Sequence, residues 1–396
     1  KVLKINELNQ TATVQPGLMG PDFEAALNDA RARYKTARNC TCGHFPQSFA
    51  YSPLGGWIAT RSSGQQSLRY GRIEQLFAGG KIEAPSGTLL IPTFPASAAG
   101  IDLREMVLGS EGRLGILTEA SVRITPLPEC EAFHALFFPD WERAENAVRA
   151  IAQERLPLSM LRLSNATETL TTLTLAGHKT MVGLLQRYLA WRGCQDGKCL
   201  LLLGATGQRA GVAAALRPAL AIARGGQGVH VGRALGEKWK QNRFRTVYLR
   251  NALWQNGYAV DTAETAVDWP RVGAMMQAIE QAATGALASG GERLHTYTHL
   301  SHLYAEGASV YSTFVWRLAG DYDADLARWR ALKAAVCEAV VANRGSISHQ
   351  HGVGTDHAPY LAAEKGELGI GAMRALFRHF DPQGLMNPGK LLPPEN

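Results

Sequence analysis

The chain has 396 residues, of which 46% are hydrophobic and 19% are charged. This composition is typical of a folded protein with two or three domains and excludes a disordered chain. The net charge of +7 is spread along the chain without a Lys/Arg block, so nucleic acid is not a default partner. An anionic ligand fits this charge as well as any other partner does. No apolar run reaches the roughly 18 residues of a transmembrane helix, which excludes an integral membrane protein.

The six cysteines lack paired C-x-x-C spacing, and the chain opens without a recognisable signal peptide. We therefore expect free thiols and a cytoplasmic protein that contacts membranes at most peripherally.

The predicted elements change in character along the chain. Residues 1–128 are rich in Gly and Pro and contain short β-rich runs at 2–5, 12–14, 58–60, 87–91, 116–117 and 121–124. Such runs between turn signals predict an α/β or α+β domain with a mixed sheet. Pro126 and Pro128 mark a break, because the residue before each proline is pushed out of the helical region. Beyond it, strands are predicted at 133–138, 200–203, 292–300 and 309–316, and helices at 140–153, 272–288, 323–343 and 362–379.

Two Gly-rich stretches lie in the first domain, at residues 43–64 and 108–119. Closely spaced glycines let backbone N–H groups approach an anionic or planar ligand. Either stretch alone is better explained by turns between short strands. Together they favour a nucleotide-like ligand, although the GxGxxG, P-loop, HExxH and GxSxG motifs are all missing.

The motifs LGGWIATRSSG (54–64) and LGSEGRLGILTEASVRI (108–124) resemble the FAD-binding domain of the vanillyl-alcohol oxidase superfamily. SISHQHGVG (346–354) and FDPQGLMNPGKLLP (380–393) resemble the C-terminal end of the same superfamily. Within it the chain is most similar to the alkyldihydroxyacetonephosphate synthases, the flavoenzymes that make ether lipids, and to their bacterial relatives.

The resemblance implies an α+β, two-domain flavin oxidase fold. Residues 1–128 would form the FAD-binding domain, 129–345 an antiparallel-sheet cap domain with the substrate pocket, and 346–396 a C-terminal segment that returns to the FAD domain. The family also carries a Gly-rich pyrophosphate loop that nothing before Gly17 matches, so we expect the N-terminal part of the FAD domain to be missing from this sequence.

The implied cofactor is FAD, bound non-covalently. The residues that the resemblance assigns to FAD binding are Pro46, Gln47, Ser48, Ser52, Thr60, Arg61, Ser62, Ser63, Gly109, Ser110, Glu111, Gly112, Gly115 and Ile116.

The implied reaction replaces the acyl chain of an acyl-dihydroxyacetone phosphate by a fatty alcohol through a flavin N5 adduct, without net redox change. A histidine or tyrosine would take the proton next to the ketone. Arg250 would bind the phosphate, and Arg162 the leaving carboxylate or the ketone oxygen. The residues implied at the active site are Tyr311, His349, His351, Arg162, Arg250 and His44. Gln350 replaces the middle histidine of the family's C-terminal run.

A rival branch of the superfamily, the D-lactate and 2-hydroxyglutarate dehydrogenases, holds a divalent metal. Here His302 keeps the first ligand, but Ser309 and Gln350 stand where His and Glu are needed. Because serine and a neutral amide are poor ligands for Zn²⁺ or Mn²⁺, we expect no metal site. His295 and His299, on one face of a predicted strand, are interpreted as ordinary hydrogen-bonded histidines.

Three functions remain open at this point. The first is the synthase reaction on a phosphorylated, lipid-like small molecule. The second is an FAD-dependent dehydrogenase or oxidase of a hydroxy acid or alcohol. The third is a flavin-free, vestigial binding protein. The oligomeric state is open as well, with a homodimer among the alternatives.

Overall fold

A computed structural model of the protein describes residues 1–177, 179–245, 248–288 and 290–392. The chain divides into two compact units. Unit 1 comprises residues 1–127 and 347–396, and unit 2 comprises residues 128–346. The predicted C-terminal segment 346–396 includes residues 393–396, which lie outside the described residues.

Unit 1 is built on antiparallel strands that short helices flank, so the mixed sheet predicted for this domain is wrong. Its strands are β1 (Val2–Asn6), β2 (Thr11–Val14), β3 (Cys40–Thr41), β4 (Phe77–Ala84), β5 (Gly87–Ile91), β6 (Ile116–Arg123) and β7 (Thr125–Pro126). Its helices before residue 128 are α1 (Gly20–Asn28), α2 (Ala30–Tyr34), α3 (Leu54–Ala59), α4 (Ser67–Tyr70), α5 (Ile73–Leu76) and α6 (Leu103–Val107). The main sheet has the order β1-β2-β6-β4-β5, and β3 pairs with β7. Phe23, Phe77 and Val122 are completely buried in its core.

Unit 2 is built on a larger antiparallel sheet. Its strands are β8 (Cys130–Phe138), β9 (Met160–Ser164), β10 (Cys199–Gly207), β11 (Val229–His230), β12 (Tyr258–Asp268), β13 (His295–Leu303) and β14 (Gly307–Arg317). Its helices are α7 (Trp141–Gln153), α8 (Ala166–Leu175), α9 (Lys179–Trp191), α10 (Arg209–Gly225), α11 (Ala234–Asn242), α12 (Leu249–Gln255), α13 (Val272–Ala288) and α14 (Tyr322–Ala342). The strand order is β11-β8-β10-β9-β13-β14-β12. The final helix, α15 (Leu361–Phe380), belongs to unit 1.

Helices cover both faces of the unit 2 sheet. Thr298 and His299 are neighbours on β13, so their side chains point to opposite faces. Thr298 donates a hydrogen bond to Glu280 of α13, whereas His299 contacts Glu168 of α8. Helices α13 and α8 therefore lie on opposite faces, and the α8 face carries the polar side chains described below.

The long helices of the chain agree with their sequence patterns. The helix expected at 272–288 is α13, that at 323–343 is α14, and that at 362–379 is α15, each within one residue at either end. Helix α15 is interrupted by a kink at Gly366, whose φ of 66° is not helical. The strand expected at 58–60 is wrong: Ile58 and Ala59 end helix α3, and the Thr60 hydroxyl donates to the Gly56 carbonyl 2.9 Å away. Burial of Trp57 and Ile58 outweighs the low helix propensity of the preceding Gly-Gly pair.

Within the described ranges, every helix is too short or too polar to span a membrane.

Candidate functional site

A cavity of about 310 Å³ opens within unit 1. The end of α3, the loop around residue 110 and the C-terminal segment line it, so three motifs that are distant in the sequence meet there. Of the predicted FAD-binding and catalytic residues, the lining contains Thr60, Arg61, Gly109, Ser110, Glu111 and His349. Residues from α15, among them Met373 and Phe377, supply apolar surface. The volume is at the lower end of the range for ligand pockets.

The other predicted cofactor residues lie outside the lining of this cavity, as far as the described residues show: Pro46, Gln47, Ser48, Ser52, Ser62, Ser63, Gly112, Gly115 and Ile116. The Ser52 hydroxyl has a local partner, since it accepts a hydrogen bond from the Trp57 indole over 2.7 Å. A contact between these residues and FAD stays a prediction.

Two lining residues have an uncommon backbone conformation. Arg61 and Glu111 adopt left-handed geometry, with φ of 51° and 50°. For residues with a side chain this conformation costs about 1–2 kcal/mol, and it persists only where neighbouring contacts impose it. The Arg61 side chain donates to the Leu108 carbonyl, and the Glu111 N–H donates to the Ala59 carbonyl over 2.9 Å. The two motifs therefore hold each other in place.

The Glu111 carboxylate connects its motif to the C-terminal segment. Its two oxygens accept hydrogen bonds from the backbone N–H groups of Val353 and Gly354. The Asn387 amide donates to the Glu111 carbonyl over 2.6 Å. The Glu111 side chain, which is predicted to contact flavin, thus holds its motif against the C-terminal segment within unit 1.

Gly115 is explained by strand packing. A Cβ at this position would lie 2.4 Å from the Glu83 carbonyl oxygen on the neighbouring strand β4, and real Cβ atoms do not approach so closely. Gly109, with φ of 78°, lines the cavity itself. Of these two predicted glycines, Gly109 is the one that can present its backbone to a ligand there.

Arg72, which the sequence motifs did not single out, organises the C-terminal histidine run. Its Nη1 donates to Nε2 of His349 over 2.7 Å, and its Nη2 lies 3.2 Å from the carbonyl oxygens of Arg61 and His349. Because a guanidinium only donates hydrogen bonds, Nε2 of His349 is the acceptor. The single ring proton of the neutral imidazole then sits on Nδ1.

Gln350 and His351 follow at the turn. The Gln350 side-chain oxygen accepts the Ser63 N–H over 3.2 Å, an interaction that a protonated histidine could not provide. His351 is exposed. Gln350, which replaces the middle histidine, therefore gives the TRSS motif (residues 60–63) a hydrogen-bond acceptor that does not depend on pH.

His44 is buried next to Trp57, with ring centroids 4.9 Å apart. Its Nε2 contacts the Ser62 hydroxyl over 3.2 Å. Burial, together with the nearby Arg72 charge, lowers the pKa of His44 to about 3. His44 is therefore neutral at physiological pH and cannot donate a proton as an imidazolium.

In unit 2 the polar face of the sheet brings four side chains together. Arg162 on β9 donates to the buried Glu168 carboxylate over 2.7 Å. Nδ1 of His299 lies 3.1 Å from the other Glu168 oxygen. The His299 ring stacks on Tyr311, with centroids 4.7 Å apart and an interplanar angle of 18°. Arg162 and Tyr311, both predicted at the active site, thus belong to one cluster, which also contains Glu168 and His299.

Tyr311 is almost completely buried. Burial raises the pKa of its phenol well above the usual range, so the hydroxyl stays protonated at neutral pH. It can donate a hydrogen bond, but it is not a base there.

Arg250 is exposed on the short helix α12, and its guanidinium takes no part in the hydrogen bonds of the four-residue cluster. Val247, three residues before Arg250, lies outside the described residues. Ser309, at the position where the metal-dependent branch has a histidine, shares a hydrogen bond with Ser301, which donates to Glu264. Its hydroxyl also accepts the His302 N–H.

The comparisons with known proteins agree with the motifs. A family model described as "FAD linked oxidases, C-terminal domain" matches residues 127–391, and one described as "FAD binding domain" matches residues 1–91. The alkyldihydroxyacetonephosphate synthase of Dictyostelium discoideum is 30% identical over 400 residues, which cover 99% of this chain and 64% of that protein.

A solved structure of an alkyldihydroxyacetonephosphate synthase superposes with a TM-score of 0.78 at 27% identity, covering 98% of this chain and 65% of that one. The glycolate oxidase subunit GlcD of Bacillus subtilis is 28% identical, over 99% of this chain and 77% of that subunit. The chain thus spans slightly less than two thirds of the length of its synthase relatives.

These matches confirm the predicted family resemblance and the predicted two-domain flavin oxidase fold. FAD is the cofactor of this family. The cavity of unit 1 fits a part of FAD: the Thr60 and Ser110 hydroxyls and the Gly109 backbone can bind polar atoms, and Phe377 can pack against a ring.

Proposed function

The chain belongs to the FAD-linked oxidase family, and we propose that it is an FAD-dependent alkyldihydroxyacetonephosphate synthase or a close relative. Its substrate would be a phosphorylated, lipid-like ketone whose acyl chain is exchanged for a fatty alcohol. The observation that carries the proposal is the similarity to synthases over nearly the whole chain, both in sequence and in fold. The GlcD relative makes dehydrogenation of a hydroxy acid the second candidate.

Unit 1 would hold FAD non-covalently through Thr60, Gly109 and Ser110, which line the cavity. The other predicted cofactor residues, which lie outside the cavity lining, would also contact FAD. When bound, FAD supplies an electron sink at its N5 position. The chain's own contribution is to orient it. The Glu111 and Arg72 contacts fix the two Gly-rich motifs against the C-terminal segment, and the exposed His351 would exchange protons with the substrate.

Unit 2 would bind the reacting part of the substrate. Arg162 directs Nη2 at Glu168 and at Nδ1 of His299, and its side chain is a quarter exposed. The remaining donors can bind the leaving carboxylate or the ketone oxygen. Tyr311 would donate a hydrogen bond, in keeping with its raised pKa. Arg250 on α12 would bind the phosphate.

The test is an exchange assay with an acyl-dihydroxyacetone phosphate and a labelled fatty alcohol, with and without an electron acceptor. We expect labelled ether product in both cases and no reduction of the acceptor. Tyr311→Phe should lower turnover without loss of flavin. Arg250→Ala should raise KM for the phosphorylated substrate, also with flavin retained. Acceptor-dependent oxidation of a hydroxy acid without exchange would instead support the second candidate.

A further inference from the structure

Helix α9 of unit 2 carries apolar side chains on two neighbouring faces. The inner face packs against the core of the unit through Val182, Leu185 and Leu189. The residues of the outer face follow one another at steps of three, four and three positions along the helix, and they are Met181, Leu184, Tyr188 and Trp191. Because residues three and four apart lie on one side of a helix, these four side chains form a continuous row, the outer stripe of α9.

The outer stripe is exposed. Trp191 is 78% exposed, Met181 69% and Leu184 60%. A helix on the surface of a folded protein usually places polar side chains on its outer face. Exposed apolar side chains grouped in this way are typical of a binding surface, whereas single ones are common and need no explanation.

The stripe ends in a group of aromatic and cationic side chains. The Arg192 guanidinium lies 5.9 Å from the centre of the Tyr188 ring and 6.0 Å from that of Trp191. Its Nη1 also donates a hydrogen bond to the Tyr188 hydroxyl over 3.1 Å. Arg187, one position before Tyr188, is exposed as well. The apolar stripe is therefore bordered by positive charge.

The segment that forms α8 and α9 exposes no negative charge. Between residues 166 and 195 the sequence contains a single carboxylate, Glu168, and its side chain is buried. Lys238 of α11 adds a further cation, because its Nζ donates to the Ala176 carbonyl, directly after α8, over 2.9 Å. The first carboxylate beyond α9 is Asp196.

This distribution of charge distinguishes between possible partners. A second copy of the chain would place the same stripe against itself. The arginines of one copy would then meet those of the other without an exposed carboxylate of α8 or α9 to pair with, and such like-charge contacts are unfavourable. A lipid surface with anionic headgroups suits all the groups present. Aliphatic side chains enter the acyl region, Trp and Tyr lie at the headgroup level, and Arg binds the negative charge.

We propose that the outer stripe of α9 binds the surface of membranes that contain anionic lipids, with the helix lying in the plane of the interface. Met181, Leu184 and Trp191 enter the lipid, while Arg187 and Arg192 stay at the headgroups. The contact is peripheral and reversible, because one short helix face buries far less apolar surface than a membrane span. The inference goes beyond the proposed exchange, since it depends on this surface alone.

The test is co-sedimentation of the full chain with vesicles of phosphatidylcholine, either alone or with phosphatidylglycerol added. The first variant combines Leu184→Gln with Trp191→Gln. Its matched control combines Leu249→Gln with Trp254→Gln, which removes the same two residue types from exposed positions of α12. Because all four side chains are exposed, we expect both variants to unfold at the urea concentration of wild type.

A second pair of variants tests the charges. Arg187→Gln with Arg192→Gln removes the cations at the stripe. Arg209→Gln with Arg217→Gln, at exposed positions of α10, lowers the net charge by the same amount elsewhere in unit 2. This comparison separates a local contact of the stripe from a general attraction between a basic protein and anionic vesicles.

We expect wild-type protein to bind the anionic vesicles and to bind phosphatidylcholine alone much more weakly. Removing Leu184 and Trp191 should weaken binding at least about tenfold, since two apolar side chains no longer enter the lipid. Removing Arg187 and Arg192 should weaken binding to the anionic vesicles by about fivefold for each arginine. The α12 control should stay within about twofold of wild type. The α10 control should lose clearly less than the variant at the stripe.

A second readout is the quenching of tryptophan fluorescence by vesicles with brominated acyl chains. Trp191→Phe keeps an aromatic ring on α9 and should remove most of the quenching. Trp254→Phe should leave the quenching in place. This measurement locates the inserted side chain even where binding itself changes little.

The proposal is overturned if wild-type protein does not bind the anionic vesicles, or if the α12 control weakens binding as much as the variant at the stripe. It is also overturned if sedimentation velocity without vesicles shows a dimer that the Leu184→Gln and Trp191→Gln variant dissociates, because a second copy then covers the stripe. None of these measurements uses a substrate, so the membrane contact and the proposed exchange can fail independently.

Discussion

Arg72 donates a hydrogen bond from Nη1 to Nε2 of His349 over 2.7 Å, although the two residues are 277 positions apart in the chain. The same guanidinium reaches the carbonyl oxygens of Arg61 and His349. One side chain thus ties the TRSS motif to the C-terminal histidine run.

Arg72→Lys should therefore loosen the C-terminal run. A lysine carries a single ammonium group, which cannot replace the planar guanidinium that donates to three acceptors. We expect the free energy of unfolding to fall by about 1–3 kcal/mol, measured by urea denaturation. Arg69→Lys, at an exposed position on α4, is the control and should stay within about 0.5 kcal/mol of wild type. Equal stability of the two variants would contradict this role of Arg72.

Glu111→Gln should weaken the link between the second Gly-rich motif and residues 353–354. The amide keeps one acceptor oxygen but presents an NH₂ group to the other backbone N–H, so one hydrogen bond is lost. We expect a loss of about 1–3 kcal/mol in unfolding free energy. The control is Glu105→Gln, because Glu105 is half exposed and pairs with Arg61; such pairs contribute about 0–1 kcal/mol. The expectation fails if Glu105→Gln costs as much as Glu111→Gln.

The free energy of unfolding should depend on the protonation of His44 in acid. The lowered pKa of about 3 means that, between about pH 3 and 6.5, the unfolded chain binds a proton at His44 that the folded protein does not bind. Stability therefore rises with pH across this window and falls on acidification. His44→Gln removes one proton from that difference, so the slope should decrease by about 1.4 kcal/mol per pH unit. Urea denaturation at pH 5 and pH 6 measures it, and identical slopes would contradict the assignment.

Gly115→Ala should be much more damaging than Gly112→Ala. The added methyl group at Gly115 meets the Glu83 carbonyl of the paired strand, which cannot move without breaking the sheet. Near Gly112 the closest atom is 3.8 Å away, so only its positive φ of 78° opposes the substitution. We expect losses of about 2–3 kcal/mol and about 1 kcal/mol respectively. Thermal unfolding of both variants decides this, and similar midpoints would argue against the packing role of Gly115.

The sequence was most informative where a pattern is local or a motif is long. The helix predicted at 272–288 is α13 with the same bounds, and the Gly-rich motifs predict the family. It failed at residues 58–60, where a helix forms because Trp57 and Ile58 are buried.

Arg72 and Glu168 could not be found from one sequence, because their roles depend on contacts between segments far apart in the chain. The interpretation of His299 as an ordinary hydrogen-bonded histidine agrees with its contacts to Arg162 and Glu168. The strand register alone shows that His299 stands opposite Tyr311.

The measurement that tests the account most directly is an absorbance spectrum of the purified protein, followed by anaerobic addition of an acyl-dihydroxyacetone phosphate. We predict an oxidised flavin spectrum that the substrate bleaches without any electron acceptor, and whose colour a fatty alcohol restores with release of ether product. A protein that binds no flavin, or whose flavin is bleached only by a hydroxy acid and recovers only with an electron acceptor, would contradict the proposed exchange.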